Sequence, residues 1–323
     1  MDMEEKTPFY KQIWFLGGLG TIAIFVLCFV ALDLVGSPDG PEKPDVEMEV
    51  IATVQTNEPL IAIAREQGWI AADATEMTSV DAVNVDSIGM AFAGSNLQTF
   101  NEFKYFLCVT EIDSGAFSNS NQLREITIPA QVSSIDYGAL ADCPALETIS
   151  VDTANTHYDS RDNCNGIVCT WKGKLMLLAG CKNTKLSDRM KYIAPHAFRG
   201  CTELTSIAFP ERMDEIGEQA FRGCKSLKEV EIPQGVRFVE AGTFMDCESL
   251  QKVTIPKSVE RLLDNAFKGC KKLSVIETPK RFPPIIINAF DNYSATVYVP
   301  KGQSNKYSTD RYWKVFQNFK ELP

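Results

Sequence analysis

Residues 216–233 read IGEQAFRGCKSLKEVEIP, and the same order of residue types returns every 23 positions over the C-terminal half of the chain. Each copy places a phenylalanine at the same position, and in four of the five copies a cysteine follows three positions later. In the same four copies, leucine follows the phenylalanine by six positions, Ile or Val by nine and proline by twelve. The conserved spacing is carried by Phe198, Phe221, Phe244, Phe267 and Phe290, and by Cys201, Cys224, Cys247 and Cys270. A fixed period of this length predicts a solenoid, because a single coil cannot bury its apolar edge and must stack on its neighbours.

The register continues upstream in two less regular copies. The first is centred on Phe117 and has Ser120 where the later copies have cysteine, and the second has Leu140 in place of the phenylalanine. From Leu140 to Phe198 the chain runs 58 residues, which is two periods and twelve residues more. We therefore predict that the solenoid carries an insert near residues 153–192.

The insert has the pattern of a β-hairpin. Ile167–Trp171 and Leu175–Leu178 are rich in apolar residues, and residues 172–174 between them form a glycine-containing loop of hairpin length. Two strands joined by this loop are therefore predicted inside the interruption.

Each repeat predicts one strand and one turn. The leucine, the Ile or Val and the proline predict a short strand whose apolar residues alternate with outward polar ones. Proline ends this strand because it cannot donate a ladder hydrogen bond. The Ala-Phe-x-Gly-Cys part predicts a helical turn that packs its phenylalanine beneath the strand. The predicted fold class is an α/β solenoid of 23-residue coils with a parallel sheet on one face, preceded by one transmembrane helix.

One segment predicts that helix. Ile13–Leu32 is a run of 20 residues without a charge, long enough at about 1.5 Å per residue to cross the roughly 30 Å hydrocarbon layer. Lys6 and Lys11 precede it and the next basic residue is Lys43, so the positive-inside bias favours a cytoplasmic N-terminus and an exported C-terminal domain. A cleaved signal peptide is the alternative, but the run exceeds the usual ~7–15 apolar residues and ends without a small-x-small site.

These segments define the predicted domain organisation. Caps are included because the ends of a solenoid would otherwise leave apolar coil faces in water. The order is an N-terminal cytoplasmic tail at 1–12, a transmembrane anchor at 13–35, a Pro-, Gly- and acid-rich linker at 36–57, a helical N-terminal cap at 58–92, the solenoid with its insert at 93–296, and a C-terminal cap at 297–323.

Composition narrows the classes of function. The formal net charge of −10 argues against nucleic-acid binding, because phosphate contacts require a surplus of Lys and Arg. The ten cysteines include no Cys-x-x-Cys pair and the chain has only two histidines, which argues against a metal site. The once-per-repeat cysteines predict an interior ladder of small apolar side chains. Cys164, Cys169 and Cys181 in the insert are the better disulfide candidates, with reduced thiols as the expected state even there.

No motif indicates catalysis. His196 occupies a repeat position that Gln219, Gly242 and Asn265 fill elsewhere, and His157 lies in a polar loop with no nucleophile motif attached. The chain has no nucleophile elbow, phosphate-binding loop or metalloprotease helix. We therefore predict a protein that is not an enzyme and has no catalytic, metal or cofactor site.

The repeat resembles that of the BspA-like leucine-rich repeat family, which is found on many bacterial surface proteins. The family repeat reads roughly I-G-x-x-A-F-x-G-C-x-x-L-x-x-I-x-I-P, and the likeness covers about Ile88–Pro300. Residues 68–69 and 88–92 also resemble a short helical module that often precedes such repeats. In relatives an Asp-rich calcium-like loop follows the tryptophan. Here residues 70–76 lack the alternating oxygen ligands of a Ca²⁺ site, so calcium binding is not expected.

The anchor and the resemblance lead to three hypotheses of function. The first is a membrane-anchored module that binds an unidentified protein, or mediates adhesion, through outward strand residues. These candidate residues are Glu125, Thr127, Thr148, Ser150, Ser206, Glu229, Glu231, Lys252, Thr254 and Glu277. The second is glycan or cell-wall binding, with Tyr158 and Trp171 as the candidate aromatic platforms outside the caps. The third is a periplasmic structural scaffold.

Overall fold

The structure is a computed structural model that describes residues 43–323. The predicted tail and the predicted anchor, Ile13–Leu32, lie outside the described residues. Within 43–323, every helix is too short or too polar to cross a bilayer.

Residues 50–83 form a mixed N-terminal module. Asn57 begins the first helix, since its Oδ1 accepts a hydrogen bond from the Leu60 backbone N–H at 3.3 Å. The elements are β1 (Val50–Thr53), α1 (Glu58–Glu66), β2 (Glu76–Thr78) and α2 (Ser79–Val83), and β1 pairs antiparallel with β2. The module therefore contains a two-stranded sheet besides its helices, and it begins within the stretch predicted as linker.

The solenoid consists of short strands joined by turns. Up to the insert and through it, the strands are β3 (Glu111–Ile112), β4 (Glu125–Ile128), β5 (Ser134–Ile135), β6 (Thr148–Val151), β7 (Gly166–Trp171), β8 (Lys174–Gly180) and β9 (Met190–Ile193). After the insert come β10 (Glu215–Ile216), β11 (Glu229–Glu231), β12 (Phe238–Val239), β13 (Lys252–Thr254), β14 (Arg261–Leu262), β15 (Val275–Glu277), β16 (Ile285–Ile286), β17 (Thr296–Val299), α3 (Ser304–Thr309) and β18 (Asn318–Glu321). Short 3-10 helices span Asn101–Tyr105, Arg161–Asn163 and Trp313–Val315.

Each regular coil supplies two strands, which build two sheets. The strand after the repeat leucine belongs to what we call the front sheet, and the strand before the repeat phenylalanine belongs to the side sheet. The front sheet has two parallel parts, β4-β6 and β11-β13-β15-β17-β18. The side sheet has the parts β3-β5, β7-β8-β9-β10 and β12-β14-β16. The predicted parallel sheet is therefore present, and a second row of strands accompanies it.

The segments around each phenylalanine are turns, which corrects the predicted helical turns. Gln219 and Gly223 bracket Phe221 with left-handed backbones, at φ 53° and 75°, and a right-handed helix cannot continue through such residues. The turns are bonded between coils instead, as where the N–H of Phe221 donates to the carbonyl of Thr243 at 2.9 Å. The fold is therefore a β-solenoid and not an α/β solenoid.

A column of stacked phenylalanines forms the core behind these turns. Successive rings from Phe198 to Phe290 lie 4.9–5.4 Å apart between centroids and within 9–13° of parallel. All five rings of this column are buried. The period of 23 residues in the sequence thus appears in the structure as one ring per coil.

Aromatic side chains pack at both ends of the solenoid. Trp69 of the N-terminal module packs against Phe92 and Phe106, with centroids 5.9 Å and 5.7 Å away. At the other end, Tyr307 Oη donates to the Lys280 carbonyl and Trp313 Nε1 donates to the Pro284 carbonyl, both at 2.8 Å. The cap thereby satisfies carbonyl groups that a further coil would otherwise bind.

The predicted hairpin in the insert is confirmed. β7 and β8 pair antiparallel, and their turn consists of Lys172 and Gly173, both with positive φ as a tight hairpin turn requires. β8 then pairs parallel with β9, so the hairpin extends the side sheet. On the front sheet, Asn165 occupies the edge of β6: its Oδ1 accepts from the Ile149 N–H at 2.8 Å. The front sheet consequently stops at β6 and resumes only at β11.

Candidate binding face

The outward residues of the second part of the front sheet form two straight rows. Parallel pairing keeps the strands in register, so equivalent repeat positions lie side by side. The first row is Glu229, Lys252, Val275, Thr296 and Asn318. The second row is Glu231, Thr254, Glu277, Tyr298 and Lys320. We call these ten residues the front face.

Charge on the front face alternates in sign over its first three strands, β11, β13 and β15. Lys252 Nζ lies 2.8 Å from Glu277 Oε1, and this hydrogen bond raises the pKa of the lysine above its ordinary value. Glu229 and Glu231 add carboxylates on the neighbouring strand, and both are exposed. The part of the face around β11 is therefore acidic, with one lysine held between carboxylates.

The predicted residues of the first part of the front sheet lie on β4 and β6. Thr127 Oγ1 and Ser150 Oγ are 2.7 Å apart across the two strands, and Glu125 and Thr148 are paired and exposed beside them. The insert separates this pair of strands from the front face. The residues that the sequence analysis named as one set therefore lie in two patches.

Ser206 is the one predicted face residue that lies on no strand. Residues 204–210 have the repeat pattern, but they form no strand next to β11. In a regular solenoid this segment would pair with β6, but Asn165 of the insert bonds the edge of β6 instead. Residues 204–210 therefore have no preceding strand to pair with.

Five residues of the front face are absent from the predicted set: Val275 of β15 and four residues of the last two strands. The four are Thr296 and Tyr298 of β17 and Asn318 and Lys320 of β18, and all except Thr296 fall within the predicted C-terminal cap, 297–323. The signal for β17 was present, because Val297, Tyr298, Val299 and the following proline repeat the strand pattern of the coils. β18 follows an irregular segment and carries no repeat signature.

The two candidate glycan platforms have structural partners. Tyr158 Oη accepts a hydrogen bond from the Ile135 N–H at 3.0 Å, and burial raises the pKa of this tyrosine to about 12. Trp171 packs edge-on against Tyr192 at 5.1 Å, and Lys172 Nζ lies 4.0 Å from the centre of its ring. Both rings thus have contacts within the solenoid, and both are half-exposed.

The repeat position of His196 is defined by its backbone. His196, Gln219, Gly242, Asn265 and Asn288 all have φ between 49° and 61°. Left-handed conformations of this kind favour Gly and Asn, which explains why the position varies chemically. The His196 ring is half-buried, and this burial lowers the pKa of its imidazole. Within residues 43–323, no group of three or more His, Cys, Asp or Glu side chains is arranged to hold a metal ion.

The repeat architecture matches a known family along most of its length. The family model described as BspA type leucine rich repeat region matches residues 74–165 and 178–297 in six copies. The chain belongs to this family. Comparison with curated proteins gave no match.

Solved structures of bacterial proteins align with much of this chain. The pneumococcal vaccine antigen PcpA aligns at 15% identity over 67% of this chain and 66% of its own, with a TM-score of 0.50. A leucine rich cell surface protein from Faecalibacterium prausnitzii A2-165 aligns at 23% identity over 70% of this chain and 59% of its own, with a TM-score of 0.47. The chain thus spans about three fifths to two thirds of the lengths of these two structures.

The family cysteines of this chain act as hydrogen-bond donors as well as apolar side chains. The Sγ atoms of Cys224, Cys247 and Cys270 lie 3.2–3.3 Å from the carbonyl oxygen of the phenylalanine 26 residues earlier. Ser120 fills the same role with its hydroxyl, 2.7 Å from the Phe92 carbonyl. The cysteines at 143, 201, 224, 247 and 270 are free and buried, as the ladder prediction requires.

Alkaline pH is expected to destabilise the protein through these thiols. Burial raises the pKa of Cys143, Cys201 and Cys270 to about 12, whereas a thiol in the unfolded chain titrates near ~8.5. Between these values the unfolded state loses protons that the folded state keeps, so stability is full below about pH 8.5 and falls as pH rises towards 12. Urea unfolding under reducing conditions should show a loss of roughly 1.4 kcal/mol per pH unit for each such thiol.

The matched control is Cys270→Ser, since serine is already accepted at position 120 and does not titrate in this range. This variant should show a pH slope smaller by the contribution of one thiol. An unchanged slope would mean that the thiol of Cys270 ionises equally in both states.

Proposed function

We propose that the described part of the chain is a non-catalytic module that binds another protein through the front face. The observation that supports this most directly is the front face itself: five strands in strict register carry ten outward side chains, none of which is buried. At about 4.8 Å between strands, the rows extend for roughly 20 Å. A surface of this size and polarity suits a folded protein or an extended segment better than a small molecule.

The chemistry of the front face indicates the kind of partner. Glu229, Glu231 and Glu277 give it an acidic part, and Tyr298 supplies an aromatic side chain of the type enriched at binding hot spots. Lys320 lies beside Tyr298 at the far edge. The partner should therefore present basic or polar groups towards β11 and an apolar contact towards β17.

A photo-crosslinking residue at Thr254, in the middle of the front face, is expected to capture a defined protein partner in the native cells. The matched control places the same residue at Lys268, which is exposed on a turn between coils. Glu229→Lys combined with Glu231→Lys should abolish the Thr254 adduct, because it reverses the acidic part. Equal adducts from Thr254 and Lys268, or an adduct that survives the charge reversal, would exclude the front face as the binding site.

We also propose that Ile13–Leu32 anchors the module to a membrane with the solenoid exported. Protease added to intact cells, and to cells with a permeabilised outer envelope, tests this arrangement. Digestion in intact cells would favour adhesion at the cell surface. Protection until permeabilisation would favour a periplasmic binder or scaffold. Protection of the solenoid after both treatments would contradict export.

A further inference from the structure

Exposed large apolar side chains lie only near the two ends of the described chain. Within residues 43–323, all nine of them fall before residue 91 or after residue 281: Met48, Val50, Val80, Met90, Phe282, Ile285, Ile287, Tyr293 and Val315. Phe282 is 60% exposed and Val50 is 50% exposed. A solenoid needs polar outer faces on its caps to remain monomeric, and apolar caps of this kind depart from that requirement.

The two ends carry opposite charge. Residues 43–92 contain nine acidic and two basic side chains, a net charge of −7. Residues 280–323 contain seven basic and three acidic side chains, a net charge of +4 within a chain whose overall charge is −10. Opposite fields at two surfaces favour encounter between these surfaces and disfavour pairing of like ends.

Apolar and charged groups are interleaved at each end. Lys306 Nζ lies 4.4 Å from the centre of the Phe282 ring, and Arg281 is the adjacent exposed residue. At the N-terminal end, Glu49 is exposed beside Val50, which begins the edge strand β1. Ile285 begins β16, which is likewise the terminal strand of its sheet. Each end thus combines exposed apolar residues, a net charge of one sign and a terminal strand.

We propose that the basic C-terminal end of one copy binds the acidic N-terminal end of a second copy, so that the solenoids associate head to tail. Complementary charges and the confinement of exposed apolar residues to these ends select a second copy as the occupant. The two contacting surfaces differ, so the contact is heterologous. It leaves one free surface of each kind, and association continues into filaments unless the rotation closes a ring.

The test uses the full chain in mild detergent and exploits the difference between the two surfaces. One variant, Phe282→Gln with Ile285→Gln, blocks the C-terminal end, and the other, Met48→Gln with Val50→Gln, blocks the N-terminal end. Both keep the charges unchanged and alter only exposed side chains. The matched control is Lys225→Gln, at an exposed position of a central coil. Sedimentation velocity measures the size distribution as a function of protein and salt concentration.

The expected result has three parts. The natural chain and the Lys225→Gln control should form assemblies that grow beyond dimers with concentration and dissociate in high salt. Each blocked variant alone should be monomeric, with an unchanged melting temperature. An equimolar mixture of the two blocked variants should form 1:1 dimers and nothing larger, because only one unblocked surface of each kind remains.

Other outcomes overturn the proposal. A monomeric natural chain at all concentrations would exclude self-association. A dimer that does not grow would indicate a symmetric contact. Monomers in the mixture of blocked variants would show that the two ends do not bind each other. Binding of a monomeric chain to anionic vesicles, lost in the Phe282→Gln variant, would assign the basic end to a lipid surface instead.

Discussion

Replacement of Phe221 by alanine is expected to lower the free energy of unfolding by about 3–5 kcal/mol. The ring is fully buried and stacks between Phe198 at 4.9 Å and Phe244 at 5.4 Å. Phe209 also contacts it edge-on at 5.6 Å. The substitution removes the ring from a continuous column, and the two neighbouring rings cannot close the gap because hydrogen bonds between coils fix their spacing.

Urea unfolding followed by circular dichroism measures this loss. Phe282→Ala is the control, because its ring is 60% exposed and its removal leaves no cavity, so the change should stay within about 0.5 kcal/mol. These measurements belong at low protein concentration, where association does not contribute to stability. Equal stability of the Phe221→Ala variant and the natural chain would contradict the stacked column.

Gly200→Ala is expected to destabilise the fold by about 2–5 kcal/mol, and Gly223→Ala by only about 1–2 kcal/mol. The two glycines occupy the same repeat position with φ of 74° and 75°, so alanine has the same conformational strain at both. A Cβ at Gly200 would overlap the Cα of Asp142 and lie 2.9 Å from its backbone nitrogen. A Cβ at Gly223 would have no neighbour nearer than 3.7 Å.

The difference between the stability losses of these two variants measures the effect of the contact between Gly200 and Asp142. Asp142 belongs to the last coil before the insert, and Gly200 belongs to the first regular coil after it. Thermal unfolding of both variants in parallel provides the measurement. Equal losses would show that the turns of these two coils do not touch, and that the insert separates the coils on the turn side as well.

The sequence predicted the elements that repeat. Phe221 and its equivalents defined the column, Cys224 and its equivalents defined the buried ladder, and the alternating strand pattern predicted the front sheet. These features recur because each coil contacts only its neighbours, so the same contact selects the same residue type each time. The hairpin was predictable for a different reason, since residues 172–174 specify a turn locally.

The sequence did not reveal features set by backbone conformation or by unique contacts. The position shared by Gln219 and Asn265 looked variable because different residue types satisfy one left-handed φ. Most of the side strands, such as β12, consist of two residues and give no periodic signal of their own. Residues 204–210 have the strand pattern but form no strand, because the insert lies where their pairing partner would be. For the candidate binding face, only the residues within regular coils were predictable.

Because each coil contacts only its neighbours, whole repeats are units that gene rearrangement can add or remove. The thiol of Cys247, the ring of Phe244 and the turn that begins at Gly242 each contact groups of a neighbouring coil. An unequal crossover within the gene that removed or duplicated one whole repeat would therefore join surfaces that already fit. The front face can therefore lengthen or shorten by whole strands. The insert cannot be exchanged in this way, because its contacts with the adjacent coils have no equivalent elsewhere in the chain.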